Sequence, residues 1–127
     1  MATYFFNISN HDSSRWSSEQ INAVEDRTII DFAFPMVSST ASTDYIVRQA
    51  HSLVADVIGG HENDDIVAMV QGEMTLTAAI VHELQQHGVT CVAACSDRAT
   101  EEVVNPDGTT TKRSTFKFVQ FREYPTF

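Results

Sequence analysis

Short apolar runs alternate along the chain with longer segments in which apolar residues recur at helical spacing. Runs rich in β-branched and aromatic residues predict four buried strands. Apolar residues spaced three and four apart over residues 44–58 predict a core-facing helix, and a second helix is predicted from Leu76 to about His87. A short helix is predicted from about Ser18, because Ser17 and Gln20 form a capping box. The predicted strands are residues 3–8, 27–34, 66–70 and 89–94.

Strands that alternate with single helices favour parallel pairing through right-handed crossovers. After the fourth strand, the turn at residues 105–108 has the sequence Asn-Pro-Asp-Gly and predicts an antiparallel hairpin between residues 101–104 and 115–121. The sequence therefore predicts an α/β fold, with a Rossmann-like, open and mainly parallel sheet, flanking helices and a C-terminal β-hairpin. At 127 residues the chain has the usual size of one domain, so residues 1–127 are expected to form a single domain.

The charge of the chain limits its partners. The formal net charge of −9 argues against binding to long nucleic acid, which needs an extended basic surface. Binding of a small anionic ligand in one pocket is compatible with this charge, because five of the eight basic residues fall after residue 97. No apolar run has the length of a membrane span and the first residues lack the basic head of a signal peptide, so a cytoplasmic protein without membrane contact is expected.

Two cysteines and five histidines offer no convincing metal site. Cys91 and Cys95 lie in an alternating apolar run, where buried thiols are common, and are expected to be core residues. No pair of histidines has ligand spacing together with a nearby carboxylate, so neither a metal nor another cofactor is expected. The chain also lacks a P-loop, a complete Gly-x-Gly-x-x-Gly and a Gly-x-Ser-x-Gly, which disfavours common nucleotide hydrolases, dinucleotide dehydrogenases and α/β-hydrolases.

Polar clusters follow three of the predicted strands, at residues 9–14, 71–75 and 96–98. Ligands of open α/β sheets bind outside the carboxyl ends of the strands, near the point where strand order reverses. We therefore expect these three clusters to converge on one site, although they are far apart in sequence.

The first cluster contains a candidate general acid or base. His11 can exchange a proton near neutral pH, while Ser9, Asn10 and Ser13 are suited to orienting a phosphodiester. The alternative is a loop histidine without a chemical role.

The other two clusters offer phosphate contacts. The turn at Gly72 and Glu73 presents backbone N–H groups at a helix start, which can cradle a phosphate, although tight turns use glycine anyway and Glu73 must then point away or cap the helix. The guanidinium of Arg98, beside Ser96, suits bidentate phosphate binding, or it forms a surface ion pair with Asp97 or Glu73.

Four segments also carry a resemblance to a known group of proteins. They are Phe6-Asn7-Ile8-Ser9-Asn10-His11, Val70-Gln71-Gly72-Glu73, Ser96-Asp97-Arg98 and the tail at residues 116–124. In their order and spacing the chain resembles the small CRISPR-associated accessory proteins of type III systems that belong to the CARF-like ring nucleases. Because Asn7-Ile8-Ser9 resembles an insertion, either Asn7 or Asn10 can occupy the asparagine position of that group.

This resemblance implies a homodimer that binds a cyclic oligoadenylate, most readily cyclic tetra-adenylate, and cuts it without a metal. In that reaction a ribose 2′-hydroxyl attacks the adjacent phosphate and leaves a 2′,3′-cyclic phosphate, which switches off type III CRISPR signalling. The implied catalytic residues are His11, Arg98 and Asn10. The implied ligand-binding residues are Ser9, Ser13, Gln71, Gly72, Glu73, Thr75 and Ser96. The alternatives are a non-catalytic sensor or sponge for the same ligand, and a structural module whose C-terminal hairpin pairs with a partner strand.

Overall fold

A computed structural model of the chain describes residues 2–127. Within these residues there are five strands, three α-helices and one 3₁₀ turn, with Ser17 and Ser42 as the N-caps of the first two helices. The predicted strands and helices occur in the predicted order, except that the fourth strand and the first strand of the hairpin form one continuous strand and that the 3₁₀ turn was not predicted. In chain order the elements are β1 (Thr3–Ser9), the 3₁₀ turn (Ser13–Arg15), α1 (Ser18–Ala23), β2 (Thr28–Ala33), α2 (Thr43–Ile58), β3 (Asp65–Gln71), α3 (Met74–Gln86), β4 (Thr90–Val104) and β5 (Thr110–Glu123).

The strands form one open sheet in the order β2-β1-β3-β4-β5. The strand pairs β1–β2, β1–β3 and β3–β4 are parallel, and β5 is antiparallel to β4. The predicted α/β fold with a mainly parallel sheet and a C-terminal antiparallel pair is thus confirmed. Strand order reverses at β1, which lies between β2 and β3, so the crevice of this sheet type lies at the carboxyl ends of β1 and β3.

Each face of the sheet is covered by its own hydrophobic cluster, because successive strand residues point to opposite faces. Phe6 and Ile8 of β1 pack with α2 and α3, whose buried residues include Val54 and Leu76. Phe5 of β1 packs on the other face, where Trp16 and Val24 flank α1. The sheet is therefore covered on both faces, as in doubly wound α/β folds.

Strands β4 and β5 are longer than the sequence predicts. The prediction that the fourth strand ends before Ser96-Asp97-Arg98 is wrong, because these residues continue β4 and pair with β5: Ser96 lies opposite Phe118, and Arg98 lies opposite Phe116. Their side chains are exposed, so the apolar alternation that marks a half-buried strand is missing, and main-chain hydrogen bonds to β5 hold the segment extended. We call residues 96–104 and 110–118 the arm.

The two cysteines are free thiols in the first half of β4. Cys91 is buried in the core, and burial raises the pKa of its thiol to about 12. Cys95 is half-buried. In the part of the chain that the structure describes, no helix has both the length and the apolar character to cross a membrane.

Candidate functional site

A cleft of about 710 Å³ lies at the carboxyl ends of β1, β3 and the sheet portion of β4, on the face that carries α1. This is the position where strand order reverses, so the cleft coincides with the crevice that the fold predicts. Its lining combines apolar rings with polar and cationic groups: Ser9, His11, Arg15, Trp16, Ser17, Gln20, Met69, Gln71, Ala94, Ser96, Phe116 and Phe118.

The loop that follows β1 is held by one buried amide. Asn7 is 1% exposed, and its side-chain nitrogen donates to the His11 carbonyl and to Asp31 Oδ1, both at 2.8 Å. Its oxygen accepts from Ser9 Oγ at 2.7 Å. Because Asp31 lies opposite Asn7 in the edge strand β2, two polar residues on neighbouring strands fix the start of the loop. Asn7 is therefore a structural residue, and of the two candidate asparagines only Asn10 is exposed beside the cleft.

His11 has a fixed backbone and an accessible side chain. Its N–H donates to Ser9 Oγ at 3.1 Å, and its carbonyl also accepts from Trp16 Nε1 at 3.1 Å. The side chain is exposed and belongs to the lining of the cleft. A ring on an anchored backbone is presented to a ligand at low entropic cost, which suits a proton-transfer group.

The 3₁₀ turn and the start of α1 form the outer wall. Asp12 caps the 3₁₀ turn by accepting from the Ser14 N–H at 3.0 Å, and the turn brings Arg15 to the cleft. Ser17 caps α1 and Gln20 reaches over the cleft floor towards Met69 Sδ at 3.9 Å. The turn thus places a positive charge in the lining of the cleft, and no sequence pattern singled out Arg15 beforehand.

Gln71 closes the gap between β3 and β4. The two strands pair only as far as Met69 and Val92, after which β4 turns away with β5. The Gln71 side chain then continues the ladder: its Oε1 accepts from the Ala94 N–H at 2.7 Å and its Nε2 donates to the Ala94 carbonyl at 3.4 Å. Gln71 therefore forms part of the cleft floor and fixes the place where the strands diverge.

The turn after β3 has the structure of a capped helix start. A Cβ on Gly72 would lie 2.5 Å from the ring of Phe34, so close packing against that ring requires glycine here. The Glu73 carboxylate accepts from the Thr75 N–H at 2.6 Å, from the Leu76 N–H at 3.0 Å and from the Thr75 hydroxyl. This side chain occupies the amides that would cradle a phosphate, so the capping alternative describes Glu73, and the Thr75 hydroxyl bond lowers the pKa of its carboxyl.

Arg98 lies on the arm, beyond the residues that line the cleft. Its Nη2 donates to Ser114 Oγ at 3.2 Å, and its guanidinium carbon lies 6.0 Å from the centre of the Phe116 ring. Neither of the surface ion pairs considered for it, with Asp97 or with Glu73, occurs among the side chains of residues 2–127.

The structure therefore unites part of the predicted site. Ser9, His11, Gln71 and Ser96 line the cleft, whereas Asn10 is exposed between Ser9 and His11 in the chain and does not line it. Ser13 does not line the cleft, because its N–H and hydroxyl donate to Asp31 at 3.0 and 2.8 Å. Gly72 lies in a separate groove along α3, and Glu73 and Thr75 bond to each other at the start of that helix.

Sequence reasoning missed several groups in the cleft. The sequence patterns assign Gln20 to a capping box and Phe116 and Phe118 to the hairpin, and they assign no role at the site to Arg15 or Trp16. Their position in the chain could have predicted such a role, because Arg15 and Trp16 lie between the first strand and the helix that follows it. In this fold that segment borders the ligand-binding crevice. Within residues 2–127 no three His, Cys, Asp or Glu side chains come together as a potential metal site.

Comparison with known proteins gives one match. The family model described as the uncharacterized protein MJ1673 family matches residues 3–122, nearly the whole chain. No curated protein and no solved structure matches the sequence.

Proposed function

The chain belongs to the uncharacterized protein MJ1673 family, and we propose that it is a metal-independent ring nuclease for a cyclic oligoadenylate, most readily cyclic tetra-adenylate. The observation that carries the proposal is the cleft at the strand-order reversal, in which an anchored, exposed His11 faces a lining with Arg15 and the rings of Trp16 and Phe118. An imidazole, a cation and aromatic rings match the proton transfer, the phosphate and the bases of such a ligand.

The cleft volume supports a ligand of nucleotide size. About 710 Å³ falls within the range of small-molecule sites, which is roughly 300–1,000 Å³. A ring of four nucleotides extends beyond one such cleft, and its repeated units suit two identical clefts related by a two-fold axis. The proposal therefore includes a homodimer that holds the ring between its two copies.

The proposed reaction needs no metal. The ribose O2′ attacks the adjacent phosphorus, the bond from phosphorus to O5′ breaks, and the products are linear with a 2′,3′-cyclic phosphate. His11 either accepts the 2′ proton or donates one to the leaving O5′. Arg15 in the cleft and Arg98 on the arm stabilise the phosphate charge, and Asn10, which is exposed between the cleft residues Ser9 and His11, orients the ribose. Removal of this second messenger would end type III CRISPR signalling. The proposal therefore includes a cytoplasmic location, because the messenger acts there.

One observation favours the alternative of a sensor or sponge. Among the cleft-lining side chains in the described part of the chain, His11 carries the only imidazole, and none carries a carboxyl or thiol group. Without a second group of this kind, proton transfer at O2′ or at O5′ falls to solvent, and the same cleft then binds the ring and releases it intact.

The test is incubation with cyclic tetra-adenylate in EDTA, followed by chromatography of the products. The expected result is linear product ending in cyclic phosphate, with the rate reduced roughly 100- to 10,000-fold in His11→Ala. His87→Ala is the matched control, because His87 is exposed at the far end of α3. Arg15→Ala should weaken binding about tenfold or more, and Arg48→Ala on α2 should not.

The remaining outcomes separate the alternatives. Bound but intact ligand would establish the sensor or sponge and overturn the nuclease. Absence of binding, measured by calorimetry, would overturn both readings of the cleft.

A further inference from the structure

A bulge at Val119 marks the boundary between the sheet and the arm. Gln120 pairs with Cys95 and Phe118 pairs with Ser96, so Val119 is an extra residue without a partner across the ladder. Bulges bend a strand and change which side chains face a neighbouring site.

This bulge decides which side chains of the arm face the cleft. Phe121 points to the α1 face, where its ring lies 4.9 Å from Phe5. In a regular strand residues 119 and 117 would share that face with Phe121. Because of the extra residue, Phe118 and Phe116 share it instead, and Phe118 lies 4.9 Å from the ring of Phe121.

Phe116 is the outermost ring of this series and remains 72% exposed. It gains little from burial at this position, yet it lies on the cleft side with Arg98 directly opposite. The guanidinium of Arg98 is held between Ser114 Oγ and the Phe116 ring, so a cation and a free aromatic surface occur together. Lys117, by contrast, lies on the other face of the arm, opposite Asp97.

We infer that Phe116 and Arg98 form a second nucleotide subsite on the arm, in which a base of the ligand stacks on Phe116 and the adjoining phosphate contacts Arg98. Phe116 and Phe118 lie about 7 Å apart along one face of β5, so two splayed bases of one ligand have separate rings to stack on. This subsite rests on the proposed function, because it is reached by the part of a cyclic oligoadenylate that extends out of the cleft.

A tryptophan reporter tests the subsite directly. Trp16 is the single tryptophan of the chain and lines the cleft, so the Trp16→Phe/Phe116→Trp double variant moves the only indole to the arm. In a His11→Ala background, which keeps the ring intact, titration with cyclic tetra-adenylate should quench that indole. Phe116→Ala should weaken binding roughly 5- to 150-fold in the same background. Val104→Ala is the matched control, since Val104 is also 72% exposed and lies at the far tip of the arm.

A second variant tests the role of the bulge. Insertion of one alanine between Cys95 and Ser96 gives Val119 a partner across the ladder. It thereby restores regular alternation and turns Phe116 away from the cleft, so it should weaken binding at least as much as Phe116→Ala. If wild type binds the ring while Phe116→Ala binds as tightly as Val104→Ala and the indole at 116 is not quenched, the arm subsite is overturned and the proposed function stands. If wild type does not bind cyclic tetra-adenylate, the proposed function fails and the subsite fails with it.

Discussion

Two polar side chains in this protein make hydrogen bonds that fix the backbone near strand ends: the Asn7 amide and the Glu73 carboxylate. The Asn7 amide joins β1, β2 and the following loop, and it thereby fixes the backbone of His11. The Glu73 carboxylate fills the helix start of α3, where an anion would bind in a phosphate-binding turn. Polar residues near the ends of strands therefore divide into those that build the site and those that remain accessible to a ligand.

The Glu73 cap predicts a pH-dependent contribution to stability. The Thr75 hydroxyl and the Leu76 N–H lower the pKa of Glu73 below its ordinary value of 4.5, so the folded state favours the carboxylate. Its contribution is present above pH 4.5 and is lost as pH falls through the lower folded pKa. In urea unfolding, Glu73→Gln should be less stable than wild type near pH 7, and the difference should disappear well below pH 4.5. An equal difference at both pH values would contradict this role.

At the scale of elements, the divergence of β3 and β4 creates the cleft. The strands part after Met69 and Val92, and the amide of Gln71 replaces the missing main-chain bonds to Ala94. A splayed strand pair leaves room for a ligand at the edge of the sheet, provided that a side chain satisfies the backbone that is freed.

Loss of this amide should loosen the edge of the sheet. Gln71→Ala leaves the half-buried Ala94 N–H without its acceptor, so we expect the free energy of unfolding to fall by about 1–3 kcal/mol. Hydrogen exchange at the Ala94 amide should accelerate. Gln86→Ala is the control, because Gln86 is exposed on α3 and its substitution should change stability by less than about 0.5 kcal/mol. Unchanged exchange at Ala94 would refute the bridging role.

At the scale of the whole molecule, a body with two hydrophobic clusters carries an arm that belongs to neither. All buried core residues precede the arm in the chain, and Phe121 and Tyr124, which pack against the core, follow it. Val104 and Phe116 in the arm, by contrast, are each 72% exposed. A two-stranded ribbon without a packed face is marginally stable, so the arm should open without unfolding of the body. The arm strands also carry opposite charges, with Glu101 opposite Arg113 and Glu102 opposite Lys112.

Limited trypsin digestion should therefore cut the arm first. Lys112, Arg113 and Lys117 are exposed on β5 of the arm, whereas Arg48 is exposed on α2, which packs on the core through Ile46 and Ala50. Mass spectrometry of early fragments should show cleavage at these arm residues before cleavage at Arg48. Equal rates at the two places would show that the arm is as stable as the body.

The sequence by itself predicts the order of elements, because each depends on local patterns. The periodic segment at residues 44–58, the capping box at Ser17 and the Asn-Pro-Asp-Gly turn all specify structure within a few residues of themselves. The alternation of strands and helices then limits the topology, so the parallel sheet and the edge at which Ser9, His11 and Gln71 meet follow from the sequence.

Only the tertiary structure decides which polar residues remain accessible. In the sequence, Ser13 and Glu73 are polar residues after a strand, just as Ser9 and His11 are. In the structure, however, Ser13 donates to Asp31 of another strand, and Glu73 accepts from the first turn of α3. The extension of β4 through Arg98 is likewise set by pairing with β5, since exposed strand residues carry no periodic signal. A one-residue bulge at Val119 then turns Phe116 and Phe118 towards the cleft, because strand alternation has a period of two and register depends on the partner strand.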